Sequence, residues 1–121
     1  RSSDVAQQVR GLLDAFLDHI IDPTTYRMNL FMDADWRVRR TAVSFGHDIE
    51  ASWLLLEAAE ILGDEALTRR MKDVSVKMAK AARAGLDADG GMNYEWDIAT
   101  GHRNTERSWW VMSEALVGFL N

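Results

Sequence analysis

A single proline, Pro23, in 121 residues is the feature that most restricts what this chain can become. Proline removes a backbone donor and breaks helices, so its near absence leaves long stretches free to run as helix. Apolar residues in those stretches recur at three- and four-residue intervals, as on helices with one buried face. In residues 4–21, Val5, Val9, Leu12, Leu13, Phe16, Leu17 and Ile20 keep that spacing. Asp4 is placed as the N-cap, and Ile21-Asp22-Pro23-Thr24-Thr25 stops the helix. Residues 29–32 then read as a short extended piece and Asp33-Ala34-Asp35-Trp36 as a turn.

A second helix starts near Gly46-His47-Asp48 and closes at Gly63, a C′ glycine. It is apolar on most of its surface (Ile49, Ala51, Trp53, Leu54, Leu55, Leu56, Ala58, Ala59, Ile61), which predicts burial nearly all round. A third helix, residues 64–84, lines one face with Leu67, Met71, Val74, Met78 and Ala81 or Ala82. Its other face carries Arg69, Lys72, Asp73, Lys77 and Lys80. The turn residues at 86–91 and Gly101 bracket a small hairpin at 91–103, and the last helix begins about Thr105. The expected fold is therefore all-α, with four main helices, two buried (48–62, 106–120) and two amphipathic, plus one short β-hairpin. This is the pattern of a helical double layer.

The length fits one domain, residues 1–121, with enough chain for a real core. Hydrophobic residues at 47% and charged residues at 27% exclude general disorder. No apolar run approaches the roughly 20 residues of a membrane span, so no membrane is expected as a partner. A net charge of −5, with basic clusters limited to Arg37/Arg39/Arg40 and Arg69/Arg70/Lys72, argues against nucleic acid. The absence of cysteine excludes disulfides, a thiolate zinc site and a Cys nucleophile. Arg1-Ser2-Ser3-Asp4 shows neither an initiator Met nor an apolar leader, and a cytoplasmic location is the default.

His47 is the first candidate for chemistry. At a helix start the dipole disfavours imidazolium, and a neutral imidazole can take a proton near pH 7. Glu50 and Glu57 project to a similar side, so His47 with Glu50 makes a workable acid/base or sugar-binding pair. The alternative is a histidine that caps the helix or bonds a loop. Trp109-Trp110 with Glu114 is the second candidate. Indole faces stack on sugar rings, and carboxylates accept from sugar hydroxyls. Adjacent helical residues point about 100° apart, so at least one of the two Trp belongs to the core. His19, near a helix end, reads as structural, and His102 lies in an exposed turn. The three histidines lack zinc-site spacing, so no metal is expected. Gly-rich nucleotide loops and the GxSxG hydrolase signal are absent.

The string Ser44-Phe45-Gly46-His47-Asp48-Ile49-Glu50-Ala51-Ser52-Trp53-Leu54-Leu55 resembles the SxGHDIExSWLL segment of cellobiose 2-epimerases, within the N-acylglucosamine 2-epimerase superfamily. Arg107-Ser108-Trp109-Trp110 through Glu114-Ala115 to Gly118-Phe119-Leu120-Asn121 resembles a second stretch of that family. Residues 30–36, Glu57-Ala58-Ala59, Asp89-Gly90-Gly91 and Tyr94-Glu95 extend the likeness, which is weak only over residues 1–15.

The resemblance implies part of an (α/α)6 barrel of six inner and six outer helices around a sugar pocket. It also implies inversion at C2 of a reducing mono- or disaccharide through an enediol(ate), with two histidines on opposite faces of the sugar. His47 matches one of them. Glu50, Glu114 and Trp109 or Trp110 match pocket residues, and the proton steps need no metal or organic cofactor. Four helices are a third of such a barrel, and the second histidine is expected beyond Asn121. The chain then reads as an internal or C-terminal-side piece, inactive alone, whose apolar faces favour self-association.

Two other classes stay open. One is a non-catalytic helical sugar-binding or scaffold module. The other is a glycoside hydrolase on a similar frame, for which Glu50 and Glu114 are the right residue types.

Overall fold

The computed structural model describes residues 2–121. Helix α1 spans Ser2–Ala15 and passes directly into a π-helical turn at Phe16–Ile20. Asp4 thus lies inside the first turn of α1 rather than at its cap, where it still faces the positive end of the helix dipole. The wider π turn closes with the Ile21 N–H donating to the Phe16 carbonyl (2.8 Å), and Asp22 then caps the loop by accepting from Thr24 and Thr25 N–H (2.8 and 2.9 Å). Leu13 is buried, while Val5 and Leu12, expected on the apolar stripe, remain exposed.

Two antiparallel sheets follow, more strand than the single hairpin expected. Strands β1 (Phe31–Met32) and β2 (Val38–Arg40) pair across the Asp33–Trp36 turn. Asp33 organises this turn by accepting from the N–H groups of Asp35 and Arg37. Strand β3 (Ala42–Ser44) pairs with β4 (Glu95–Asp97), which pairs with β5 (Arg103–Asn104). The register sets Val43 against Trp96 and Ser44 against Glu95. The Arg27 and Arg103 guanidiniums lie 5.2 and 4.7 Å from the Trp96 ring, a cation–π arrangement.

Helix α2 (Phe45–Leu62) leaves β3 without a loop and ends at Gly63, which takes φ +72°. Helix α3 (Glu65–Ala82) follows at once, because the Asp64 carboxylate caps it by accepting from Leu67 N–H at 2.9 Å. Helix α4 (Trp109–Leu120) starts four residues later than the expected beginning at about Thr105. Arg107 is drawn instead to the carboxylates of Asp87 and Asp89, which holds the preceding segment extended.

The core has two parts that meet along α2. Leu13, Ile21, Met28, Leu55, Ala59, Leu67, Met71 and Met78 join α1, α2 and α3. Val43, Phe45, Ile49, Ala82, Met92, Val111 and Ala115 join α2, α3, α4 and the three-stranded sheet. Burial of α2 and α4 is less complete than their composition predicts. Leu54 and Ile61 of α2 are open, and on α4 Trp109, Leu116 and Leu120 are 81%, 64% and 78% exposed. No helix among the described residues is long and apolar enough to cross a membrane.

The α2–α4 crossing depends on glycine. A Cβ at Gly46 would lie 2.6 and 2.7 Å from Trp110 ring carbons and 2.8 Å from Val111. Gly46→Ala is therefore expected to destabilise the chain by about 1–3 kcal/mol through overpacking. Gly11, on the open side of α1 with nothing within 4 Å, takes the same change in the opposite direction. Gly11→Ala should stabilise by up to about 1 kcal/mol through helix propensity alone. Urea unfolding of both variants decides this, and equal signs would contradict it.

Asp48, 1% exposed, accepts the Met28 N–H at 2.9 Å and so ties the 21–28 loop to α2. Burial pushes its carboxyl up to about 7, against the opposing pull of the Met28 N–H and Arg27. The folded chain keeps this proton at pH values where the unfolded chain, titrating near 3.8, has lost it. Stability from this group therefore falls as pH rises from about 4 to about 7, then levels. Asp48→Asn keeps an acceptor and carries no charge. It is expected to flatten that decline, which is on the order of a few kcal/mol, in urea melts at about pH 5 and about pH 8. An undiminished decline in the variant would show that another group causes it.

Candidate functional site

The first turn of α2 sends its side chains two ways. Asp48 and Ile49 point into the protein, while His47 stays exposed. The imidazole is nevertheless fixed on two sides. Its Nδ1 lies 2.7 Å from the Oγ of Ser44, which is buried at the end of β3. Its ring leans on Trp110, with centroids 5.0 Å apart and planes at 59°. Tyr94 meets the same indole edge-on at 6.1 Å. Among the described residues Nε2 has no hydrogen-bond partner.

Of the two adjacent tryptophans, Trp110 packs inward against His47 and Gly46, whereas Trp109 is the open one. Glu114, one turn after Trp110, accepts a hydrogen bond from the Trp53 indole N–H at 2.9 Å across the α2–α4 crossing. This bond fixes one carboxylate oxygen, and the second has no hydrogen-bond partner among the described residues. Glu50 is half-buried, one turn along α2 from His47, and the two share no hydrogen bond. Glu57 follows on the exposed side.

His19 lies away from this cluster, stacked flat on Trp36 with ring centroids 4.5 Å apart. His102 is exposed in the β4–β5 turn. No group of three or more His, Cys, Asp or Glu among the described residues is arranged to hold a metal ion.

Three residues of this arrangement were not singled out by sequence reasoning. Ser44 stands three positions before His47, a spacing that places a side chain at the N-cap beside the first helical turn. Trp53 reads as one more apolar helix residue until Glu114 appears beside its indole N–H. Tyr94 sits in a hairpin whose packing partner is distant in sequence. Chemically, the cluster offers an open imidazole of fixed orientation, an aromatic wall behind it, and two carboxyl groups on neighbouring helices. An imidazole held at one nitrogen and open at the other is chemically able to accept and to donate a proton.

Comparison with known proteins agrees in family. Residues 3–120 match the family model described as N-acylglucosamine 2-epimerase (GlcNAc 2-epimerase). The chain is similar to the cellobiose 2-epimerase of Bacteroides fragilis, 44% identical over all 121 residues, which are 31% of that protein. It is similar to the cellobiose 2-epimerase of Ruminococcus albus at 33% identity, covering 97% of this chain and 30% of that protein. Among solved structures it superposes on a sugar epimerase from a ruminal bacterium with a TM-score of 0.93 at 33% identity, covering 98% of this chain and 30% of that one. The cellobiose 2-epimerase of Spirochaeta thermophila gives 0.86 at 33% identity, with 98% and 29% covered. The chain thus spans about three-tenths of the length of these relatives. With its sequence matched from end to end and its helices superposed on theirs, the chain belongs to the N-acylglucosamine 2-epimerase family.

Proposed function

We propose that the chain forms one wall of the sugar pocket in a carbohydrate 2-epimerase of the cellobiose type, an (α/α)6 barrel acting on a reducing disaccharide. The observation that carries this reading is the state of His47: open at Nε2, held at Nδ1 by Ser44, and backed by Trp110. A carbon next to a carbonyl is acidic because the electron pair left by its proton moves into the carbonyl as an enediolate. His47 Nε2 accepts the C2 proton on one face, or returns it there. Return on the opposite face leaves C2 inverted.

The other side chains serve the sugar rather than the proton. Glu114, steadied by Trp53, and Glu50 accept hydrogen bonds from sugar hydroxyls. Trp110 is committed to His47, so Trp109, with its ring uncovered, is the aromatic left to stack on a sugar ring. Neither His19, held by Trp36, nor His102 belongs to the cluster. The 121-residue chain by itself supplies one acid/base group and is inactive in this reading. The preference for a disaccharide over an N-acylated monosaccharide rests on the names of the relatives.

The test is a chimera in which this chain replaces the matching segment of the Bacteroides fragilis enzyme. The chimera should epimerise cellobiose and exchange the C2 proton in D2O, followed by NMR, while the 121-residue chain alone should do neither. His47→Ala in the folded chimera should lower kcat by about 100- to 10,000-fold. A chimera that binds cellobiose and keeps its rate without His47 would make this segment a sugar-binding scaffold instead. Exchange by the isolated chain would show that it holds a complete site.

A further inference from the structure

The partner that holds the His47 ring is a neutral hydroxyl, and that choice has consequences. Ser44 is 3% exposed, and among the described residues His47 Nδ1 is the only hydrogen-bond partner of its Oγ. A hydroxyl is one donor and two lone pairs on a rotor. It donates to Nδ1 when the neutral ring carries its proton on Nε2. It accepts from Nδ1–H when Nε2 is the base, and again when the ring is imidazolium. In every protonation state the bond persists, so the ring need not turn as its charge changes.

A carboxylate at this position would behave differently. It accepts only, holds the proton on Nδ1, and favours imidazolium by its charge. That suits a group that must stay a strong base. A group that takes a proton from carbon and then gives one back is served by a partner able to bond the ring in both states, as donor in one and acceptor in the other. Neither nearby carboxylate takes that place: Asp48 turns to the Met28 N–H, and Glu50 makes no hydrogen bond to the ring. Ser44 is itself rigid, because β3 is laddered to β4, with Ser44 opposite Glu95 and the next N–H, that of Phe45, reaching the Tyr94 carbonyl at 3.4 Å.

We infer that Ser44 is a positioning residue that keeps the His47 imidazole in one orientation, against Trp110, through both taking and giving of the proton. This rests on the acid/base reading of His47, and the experiment separates the two. The first arm uses NMR on the 121-residue chain, reading the His47 ring protons, which the Trp110 ring current displaces while the rings stay 5.0 Å apart. Ser44→Ala is expected to relax those shifts toward free histidine, and Ser44→Thr, which keeps the hydroxyl, to restore them. The second arm uses the chimera. Ser44→Ala should lower kcat by up to about 100-fold with KM little changed, as for a misplaced reacting group, and Ser44→Thr should recover most of the loss.

Unchanged ring shifts in Ser44→Ala overturn the inference, whatever the rate does. So does an unchanged kcat alongside altered shifts, since the ring would then be held to no catalytic purpose. A chimera whose rate survives His47→Ala removes the acid/base reading, while the NMR arm still reports whether Ser44 holds the ring.

Discussion

The close crossing of α2 and α4 is the contact on which the open face of this protein depends. It is possible because each helix presents a glycine to the other. Gly46 of α2 receives the Trp110 ring, and Gly118 of α4 receives Ile49, whose side chain would meet an added Cβ at 2.6 Å. Side chains normally keep packed helices about 8–10 Å apart, and removing a Cβ at the contact lets a large ring fill the space instead. From that approach follow the lean of Trp110 on His47 and the reach of the Trp53 indole to Glu114. Two residues 61 positions apart in sequence become hydrogen-bonded neighbours because two others lack side chains.

The first turn of α2 is where exposure and burial are divided. His47 and Asp48 are adjacent, yet one faces outward and the other is sealed beneath the 21–28 loop. The sealed carboxylate costs solvation, which is why its proton is held so far above the ordinary range. In return it satisfies the Met28 N–H, which the bend after the π turn turns inward. The three-stranded sheet completes the frame, since β3 delivers Ser44 directly into the helix start with no flexible loop between.

Long elements were legible in the sequence because their signals are redundant. Helix α3 repeats its apolar residue five times over 18 positions and is bracketed by Asp64 at one end and Gly85 at the other, so errors at single residues do not matter. Strands β2 and β3 have three residues each, too few for an alternation to show, and all three residues of β3 are buried. The start of α4 misled for a different reason. Nothing local prevents Thr105–Ser108 from being helical, and the pull of Asp87 and Asp89 on Arg107 comes from 18 to 20 residues away. Likewise, the sequence shows that two adjacent tryptophans diverge, but only the packing on Gly46 says that Trp110 turns inward and Trp109 outward.

By itself the sequence determined the helical class, the extent of α2 and α3, the family likeness, and which histidine, carboxylate and tryptophan residues are present. Those are properties of spacing and chemical identity, which a chain carries before it folds. The tertiary structure alone decided which tryptophan backs His47, that Ser44 holds its Nδ1, that Trp53 steadies Glu114, and how much of α2 and α4 stays open. Each of these depends on a contact between elements far apart along the chain, except the Ser44 bond, which depends on a strand edge set by β4. Such contacts are fixed by packing volume and by the satisfaction of buried polar groups, neither of which is written in any local stretch of residues.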